Sequence, residues 1–148
     1  RLEYLGVYGG LACYNDSIST TPQSTIAGIG AFTENLCLIL GGYDKNLSLD
    51  PLIDTIVQSN HVKQVCCIGA LGETFFNLLS NCRGDLTVTH SQTLDQAVKD
   101  AFAANIHEGI LLLSPACASW DQFSNFQERG KQFKILLENS PELKTDLE

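Results

Sequence analysis

Three polar segments of this sequence follow apolar runs and carry residue types that suit ligand binding. They are NDSIST at residues 15–20, GGYDK at residues 41–45 and SPACASWDQF at residues 114–123. Lys45 supplies a cation after a glycine pair, and Ser119 ends a run of small residues that lets a ligand approach the backbone. A helix predicted to follow the third segment adds N-terminal N–H groups, which favour an anion. These residue types point to a site for an anionic ligand.

The apolar runs before two of these segments predict buried parallel strands. Residues 36–40 and 109–113 are continuously apolar, as expected for strands covered on both faces. Pro115 stops the second run, because proline has no N–H to donate to a sheet. Open α/β sheets bind ligands at the carboxyl ends of their strands. Lys45 and Ser119 are therefore expected at a crevice on that edge of the sheet.

Position alone also allows a simpler interpretation of both side chains. Most lysines are exposed, so Lys45 can be a solvated loop residue without a ligand. Ser119 can simply cap the helix that follows it. Neither residue type identifies a function by itself.

The rest of the chain predicts a hairpin followed by alternating strands and helices. Apolar runs in residues 2–16 flank Gly9 and Gly10, a pair that supplies the positive φ of a tight turn. Thr21, Asp50 and Ser91 are the expected helix caps. The predicted strands cover residues 36–40, 62–69, 86–89 and 110–113. The predicted helices cover residues 21–32, 51–58, 73–79, 91–104 and 122–137, and Phe75, Phe76, Leu78 and Leu79 of the third face the sheet.

This alternation specifies an α/β domain. We expect a mostly parallel sheet with helices on both faces and an N-terminal β-hairpin. The domain is predicted to span residues 1–140, and residues 141–148 to form an acidic, frayed tail.

Composition narrows the class of partner. The 148 residues suit one domain, and 44% hydrophobic with 18% charged residues indicates an ordered protein. The net charge of -8 argues against nucleic acid as a partner. No apolar run approaches the roughly 20 residues that span a bilayer, so no membrane partner is expected. An acidic chain that binds anions must concentrate its few cations locally.

The six cysteines predict neither disulfides nor a metal site. There is no Cys-x-x-Cys, and the histidines have no ligand spacing. Cys66 and Cys67 would point to opposite faces of one strand. We expect reduced, buried thiols, which is typical of a cytoplasmic protein.

The run SPACASWDQFSNFQERGKQF resembles the signature of the Mur ligases that add glutamate to UDP-N-acetylmuramoyl-L-alanine in peptidoglycan synthesis. NDSIST is similar to the motif at the start of that family's third domain, and LILGGYDK is similar to its Gly-Gly-x-x-Lys turn. The three motifs occur in the family's order and span nearly the whole chain. The resemblance implies a Rossmann-like C-terminal domain of such a ligase, without the N-terminal and central domains.

The resemblance also implies a glutamate site. The residues matching Lys45 and Thr20 bind one glutamate carboxylate in the family. The residue matching Ser119 binds the other, with help from a backbone N–H near Phe126. D-glutamate is the family's substrate.

A nucleotide site is implied by the same resemblance. Arg1, Asn15 and Asp16 match the family's residues on the ATP side, where the aspartate meets the ribose. ATP and magnesium are expected in the full-length enzyme, and this domain alone is expected to hold neither. The phosphate-binding loop G-x-x-x-x-G-K-[ST] is absent from the chain, as expected if that loop belongs to the central domain. The fragment alone is therefore predicted to be inactive, and the whole enzyme to be a cytoplasmic monomer.

Two positions depart from the family pattern. Ile18 stands where the family usually has lysine, and Tyr43 stands where it often has aspartate. The loss of a cation leaves L-glutamate open as the substrate. A non-catalytic α/β module that binds an amino acid or a nucleotide is the alternative from a different class. A sibling Mur ligase that adds a diamino acid fits the third motif poorly.

Overall fold

The computed structural model describes residues 1–140, which form six strands and five helices. The predicted tail at residues 141–148 lies outside the described residues. In chain order the elements are β1 (Glu3–Tyr8), β2 (Leu11–Asn15), α1 (Pro22–Gly30), β3 (Leu36–Gly41), α2 (Asp50–Gln58), β4 (Val62–Ile68), α3 (Gly72–Leu79), β5 (Thr87–Gln92), α4 (Leu94–Ala103), β6 (Gly109–Leu113) and α5 (Phe126–Glu138).

The strands form one sheet in the order β1-β2-β6-β3-β4-β5. Every neighbouring pair is parallel except β1 and β2, which form the predicted hairpin. Gly9 and Gly10 make its turn with φ of 56° and 85°. The predicted α/β class, with a mostly parallel sheet and an N-terminal hairpin, is confirmed.

Alternate residues of the central strands face two separate hydrophobic clusters. Leu36, Leu38 and Leu40 of β3 pack with apolar side chains of α1, α2 and α3. Cys37 and Ile39 pack on the other face with α4 and α5. All of these β3 side chains are fully buried, because helices cover both faces of the sheet.

The cysteines follow the same alternation. Cys66 belongs to one cluster and Cys67 to the other, as predicted for neighbours in a strand. All six cysteines are free thiols, and only Cys82 is less than fully buried.

Helix starts were predicted less accurately than strands. Thr21 does cap α1, accepting a hydrogen bond from the Ser24 N–H. The expected cap Asp50 is instead the first residue of α2. The expected cap Ser91 lies in β5, which runs on to Gln92, and Thr93 caps α4. The sequence S-Q-T offers two hydroxyl caps, and pairing of β5 with β4 extends far enough to exclude the first.

Two of the predicted helices, 122–137 and 73–79, also differ from the structure in detail. Residue 122 does not begin α5, because an irregular loop continues to Asn125, whose side chain accepts from the Glu128 N–H. Leu78 of α3 is exposed and does not face the sheet. None of the helices in residues 1–140 is long and apolar enough to cross a membrane.

Candidate functional site

Three loops meet at the carboxyl edge of the sheet, after β2, β3 and β6. The loop after β6 is hydrogen-bonded to both others through its small residues. Ala116 donates its N–H to the Ser19 carbonyl at 2.9 Å, and Tyr43 donates its N–H to the Ala118 carbonyl at 2.8 Å. The three polar segments picked out in the sequence are therefore adjacent in space, as predicted from their positions after strands.

Gly42 permits the closest of these approaches. Its φ is +143°, and a Cβ there would lie 2.6 Å from the Ala118 carbonyl oxygen and 2.9 Å from the Cys117 Cβ. Side chains rarely adopt that φ. The second glycine of the pair is thus needed for packing the Lys45 loop onto the loop after β6.

Asp16 lies beneath the loops and is fully buried. Its Oδ2 accepts hydrogen bonds from Ser19 Oγ at 2.5 Å and Ser114 Oγ at 2.8 Å. Its Oδ1 accepts from the Leu2 N–H at 3.4 Å. The carboxylate is therefore occupied by donors of its own chain in this conformation, and the ribose contact implied by the resemblance stays a prediction.

Ser119 is the exception among the buried polar groups of residues 1–140. Its side chain is 2% exposed, and its Oγ has no hydrogen-bond partner. Its carbonyl accepts from the N–H groups of Gln122 and Phe123, so it closes a turn. The interpretation of Ser119 as a helix cap is wrong, because Asn125 caps α5.

Asp121 and Gln122 of the same motif bind the loop to the ends of two strands. Asp121 Oδ2 accepts from the Ala70 N–H at 2.8 Å, just after β4. Gln122 Nε2 donates to the Gln92 carbonyl at 2.8 Å, at the end of β5. These contacts join the loop to the ends of β4 and β5, which both lie on the β3 side of β6, and they leave the Ser119 hydroxyl without a partner.

Arg129 is a further candidate for a role in the site, and it was not predicted from the sequence. It is 1% exposed and is the largest fully buried side chain in residues 1–140. Its Nε and Nη2 donate to Oγ and the carbonyl of Ser17, both at 2.8 Å, and its Nη1 donates to the Cys117 carbonyl at 2.9 Å. Burial lowers the pKa of Arg129 to about 10. Charged residues of a helix usually face solvent, so only the spacing of Arg129 from Phe133 and Leu137, four and eight residues later on the buried side of α5, could have suggested its burial.

Lys45 is half-buried beside the same loop. A narrow gap of about 10 Å³ is lined by Lys45, Tyr43 and Ala116, among others. Tyr43 packs against Trp120 with ring centroids 5.2 Å apart, and both rings are largely exposed. The pair forms an aromatic rim between the Lys45 loop and the Ser119 loop.

Two of the three residues proposed for the nucleotide, Arg1 and Asn15, line a separate groove, and Asp16 does not. This groove of about 380 Å³ is lined by Arg1, Asn15, Ile18 and Phe126, together with Glu3, Ser17, Gln127, Gly130, Lys131 and Lys134. Thr20, Lys45 and Ser119 are not among its lining residues. Thr20 is half-buried next to Ser19, and Phe126 begins α5 with its carbonyl accepting from Ser17 Oγ at 2.7 Å. The structure thus brings Arg1, Asn15 and Phe126 together and places Lys45 and Ser119 on the neighbouring loops.

The loop after β6 also contains a buried thiol, that of Cys117. Burial raises the pKa of Cys117 to about 12, so this residue is a neutral wall of the crevice at physiological pH. Across residues 1–140, no three His, Cys, Asp or Glu side chains form a cluster suited to a metal ion.

Comparison with known proteins gives consistent relatives. A UDP-N-acetylmuramoylalanine–D-glutamate ligase from Alkaliphilus oremlandii is 38% identical over 139 residues, covering 94% of this chain and 30% of that protein. Ligases of the same name from Aquifex aeolicus and Clostridium acetobutylicum are 40% and 36% identical, and cover 93% and 94% of this chain. The chain therefore spans about a third of the length of the curated relatives it matches. No family model matches the chain.

A solved structure supports the fold. A domain assigned to a UDP-N-acetylmuramate:L-alanyl-gamma-D-glutamyl-meso-diaminopimelate ligase from Haemophilus ducreyi superposes with a TM-score of 0.59. It covers 93% of this chain and 99% of that chain at 15% sequence identity. Fold and site together define an α/β domain that presents a ligand crevice at the carboxyl edge of a parallel sheet. The relatives make the assignment specific: the chain belongs to the Mur ligases, as a C-terminal domain of one.

Proposed function

We propose that this domain binds glutamate for an ATP-dependent, ADP-forming ligase that joins the amino acid to UDP-N-acetylmuramoyl-L-alanine. The relatives are named as ligases of D-glutamate. The observation that carries the proposal is the buried, unpartnered hydroxyl of Ser119. An unmade hydrogen bond of this kind costs about 1–3 kcal/mol, and a bound carboxylate would supply the missing acceptor.

The other proposed contacts lie on the two loops that bind the Ser119 loop and at the start of α5. Lys45 forms none of the ion pairs made within residues 1–140, so its ammonium group remains available for the second carboxylate. Thr20 follows Ser19, whose carbonyl binds the Ser119 loop through Ala116. The Phe126 N–H at the start of α5 is free of a helical acceptor, as are all N–H groups in a first turn.

The groove lined by Arg1 and Asn15 is the proposed contact with the nucleotide. It has room and positive charge for a nucleoside phosphate, and residues 1–140 supply no metal cluster of their own. When bound in the complete enzyme, ATP and magnesium supply phosphoryl transfer to the carboxylate of the acceptor. This domain's contribution is to hold glutamate with its amine facing that carboxylate. Orientation of two reactants can supply roughly 7–11 kcal/mol.

Ser119→Ala in the complete ligase tests the glutamate site. The Ser119 hydroxyl makes no hydrogen bond within residues 1–140, so its removal should leave the melting temperature unchanged or higher, because the cost of the unmade bond is removed with it. The KM for glutamate should rise about tenfold or more, because a hydrogen bond to a charged group contributes roughly 1.5–3 kcal/mol, while the KM for ATP stays constant. Lys45→Ala should behave in the same way. An unchanged glutamate KM and kcat in both variants would refute the pocket.

Ser114→Ala is the matched control. It removes the same atom from a serine whose hydroxyl bonds Asp16 and Thr25. We expect a lower melting temperature for this variant. Comparison of the two variants distinguishes a hydroxyl that binds a ligand, at Ser119, from one that stabilises the fold, at Ser114.

A non-catalytic binding module is the competing proposal, and glutamate ligation by the complete protein would exclude it. We expect the 148-residue chain to fold but to release no phosphate from ATP with magnesium and glutamate present. Steady phosphate release would contradict its role as one part of a larger active site. The complete ligase is proposed to be a cytoplasmic monomer without nucleic-acid or membrane partners.

A further inference from the structure

Arg129 is a buried cation without a carboxylate partner in the part of the chain that the structure describes. The ion pairs of residues 1–140 join Lys63 and Arg83 to Asp85, and Lys99 to Asp95. The hydrogen bonds of Arg129 go instead to a hydroxyl and two carbonyl oxygens. Taking a charge out of water is costly unless an opposite charge compensates it. Asp121 is a carboxylate of residues 1–140 that acts on the guanidinium through space, but no carboxylate forms an ion pair with it.

The guanidinium lies among all three loops of the candidate site. It bonds Ser17 before Thr20, and Cys117 before Ser119. A Cβ on Gly42 would lie 3.4 Å from Arg129 Nη1, so the same group also faces the turn that leads to Lys45. Three of its five N–H groups donate to the hydroxyl and carbonyl of Ser17 and to the carbonyl of Cys117.

The Ser119 hydroxyl, two residues after the Cys117 carbonyl that Arg129 binds, has no hydrogen-bond partner. A donor without an acceptor and a cation without an ion-pair partner would both be satisfied by one ligand group, a carboxylate. Ile18, which is 43% exposed, supplies no charge at the edge of this region. The buried guanidinium contacts both the loop that contains Ser17 and the loop that contains Ser119, so it is a fixed positive charge next to both.

We propose that Arg129 is a positioning residue whose buried charge, which forms no ion pair, selects the carboxylate bound beside Ser119. This rests on the proposed glutamate site. Arg129 does not touch the ligand in this proposal; it holds the Ser17 and Cys117 carbonyls and adds a fixed field to the crevice. At an effective dielectric constant near 20, a buried charge several ångströms from a carboxylate changes its affinity by about tenfold or more.

The fluorescence of Trp120 can be used to measure ligand binding. Trp120 is the only tryptophan of the chain, it follows Ser119 directly, and it is largely exposed. Its fluorescence is titrated in the 148-residue chain with D-glutamate, D-glutamine and D-isoglutamine. The two amides each lack one of the two carboxylates, so the pair identifies the carboxylate on which the charge acts.

We expect wild type to bind glutamate more tightly than either amide. We call the ratio of the Kd for an amide to the Kd for D-glutamate the penalty for that amide. In Arg129→Gln, the penalty for one of the two amides should fall about tenfold. Arg129→Lys keeps the charge and should keep the penalty. Arg83→Gln is the control, because Arg83 also donates to main-chain carbonyls, at Ile56, Val57, Ser59 and Val62, but sits at the other end of the sheet with Asp85 as its partner. It should leave all three affinities unchanged.

Two results overturn the inference. Equal weakening of all three ligands in Arg129→Gln would make the residue a structural tether only. Loss of the penalty in Arg129→Lys, the variant to use if Arg129→Gln does not fold, would exclude a role for charge. Absence of glutamate binding by wild type would instead refute the proposed glutamate site, so the two failures are distinguishable.

Discussion

The Ser114 hydroxyl, at the end of β6, donates a 2.8 Å hydrogen bond to the buried carboxylate of Asp16, at the end of β2. These strands are parallel neighbours, with Asn15 paired to Leu113. The two polar segments that follow them are therefore fixed to each other by a charge-assisted bond below the crevice. Gly28 of α1 leaves room for this contact, since a Cβ there would lie 3.2 Å from Asp16 Oδ2.

Asp16→Asn should destabilise the domain. The substitution replaces an ionised acceptor of the Ser19 and Ser114 hydroxyls by a neutral amide. Hydrogen bonds to charged groups contribute roughly 1.5–3 kcal/mol, and we expect a loss of that size in urea unfolding. Equal stability of the variant and wild type would show that the network tolerates a neutral acceptor.

Gly42→Ala should be destabilising where Gly30→Ala is not. An alanine at position 42 would hold φ at +143° and overlap the Ala118 carbonyl, which costs about 1–3 kcal/mol in strain. A Cβ on Gly30, at the end of α1, meets nothing within 4 Å. That variant should gain up to about 1 kcal/mol, because alanine is the better helix residue. Thermal unfolding of both variants gives the comparison, and similar effects would contradict it.

Leu38→Asp should unfold the domain, and Leu78→Asp should not. Leu38 is fully buried in β3, the strand between β6 and β4. An unpaired buried carboxylate costs several kcal/mol. Leu78 is half exposed on α3, so its replacement should shift stability by less than about 1 kcal/mol. Circular dichroism and urea unfolding distinguish the two, and a cooperative fold with little loss of stability for Leu38→Asp is the contrary result.

Strand positions were predictable because continuous apolar runs admit few alternatives. Residues 36–40 and 62–69 predicted β3 and β4 to within a residue at most boundaries. Their place inside the sheet, where β3 pairs with β6 and β4 pairs with β3, follows the rule that parallel strands with covered faces lie in the sheet centre. Helix starts such as Thr93 in place of Ser91 depend on how far a neighbouring strand pairs, which local sequence does not encode.

The site was predictable in place but not in detail. Glycines and small residues after strands marked the loops that meet at the sheet edge. Burial of Asp16 and Arg129 could not be predicted, because it depends on side chains more than 90 residues away in sequence. The roles of Thr20, Lys45, Ser119 and Phe126 toward glutamate remain predictions.

The thiols should differ sharply in reactivity. Burial raises the pKa values of Cys67 and Cys117 to about 12, and alkylation requires the thiolate. Only Cys82 is partly accessible. Without reductant at neutral pH, the native chain should take up one equivalent of iodoacetamide rapidly, and the urea-denatured chain six. Fewer than six after denaturation would reveal a disulfide, and Cys82→Ser should abolish the rapid phase.

The enantiomer of glutamate is the last expectation, and it depends on Ile18. The relatives are named for D-glutamate, and we expect D-glutamate here, with L-glutamate as the competing substrate. Both enantiomers share their substituents, so discrimination depends on where the α-carboxylate and the amine fall once the side-chain carboxylate is bound. A cation at position 18 would sit on an exposed side chain at the edge of the groove that also contains Arg1 and Phe126.

Ile18→Lys in the complete ligase therefore tests how specificity is set. An added charge-assisted hydrogen bond is worth roughly 1.5–3 kcal/mol, enough to change the ratio of kcat/KM for D- and L-glutamate by tenfold or more. Ile18→Gln, which is similar in length to the lysine but neutral, separates charge from shape. If Ile18→Lys changes neither the rate nor the ratio, then Ile18 only packs, and the enantiomer is selected by the loops that carry Lys45 and Ser119.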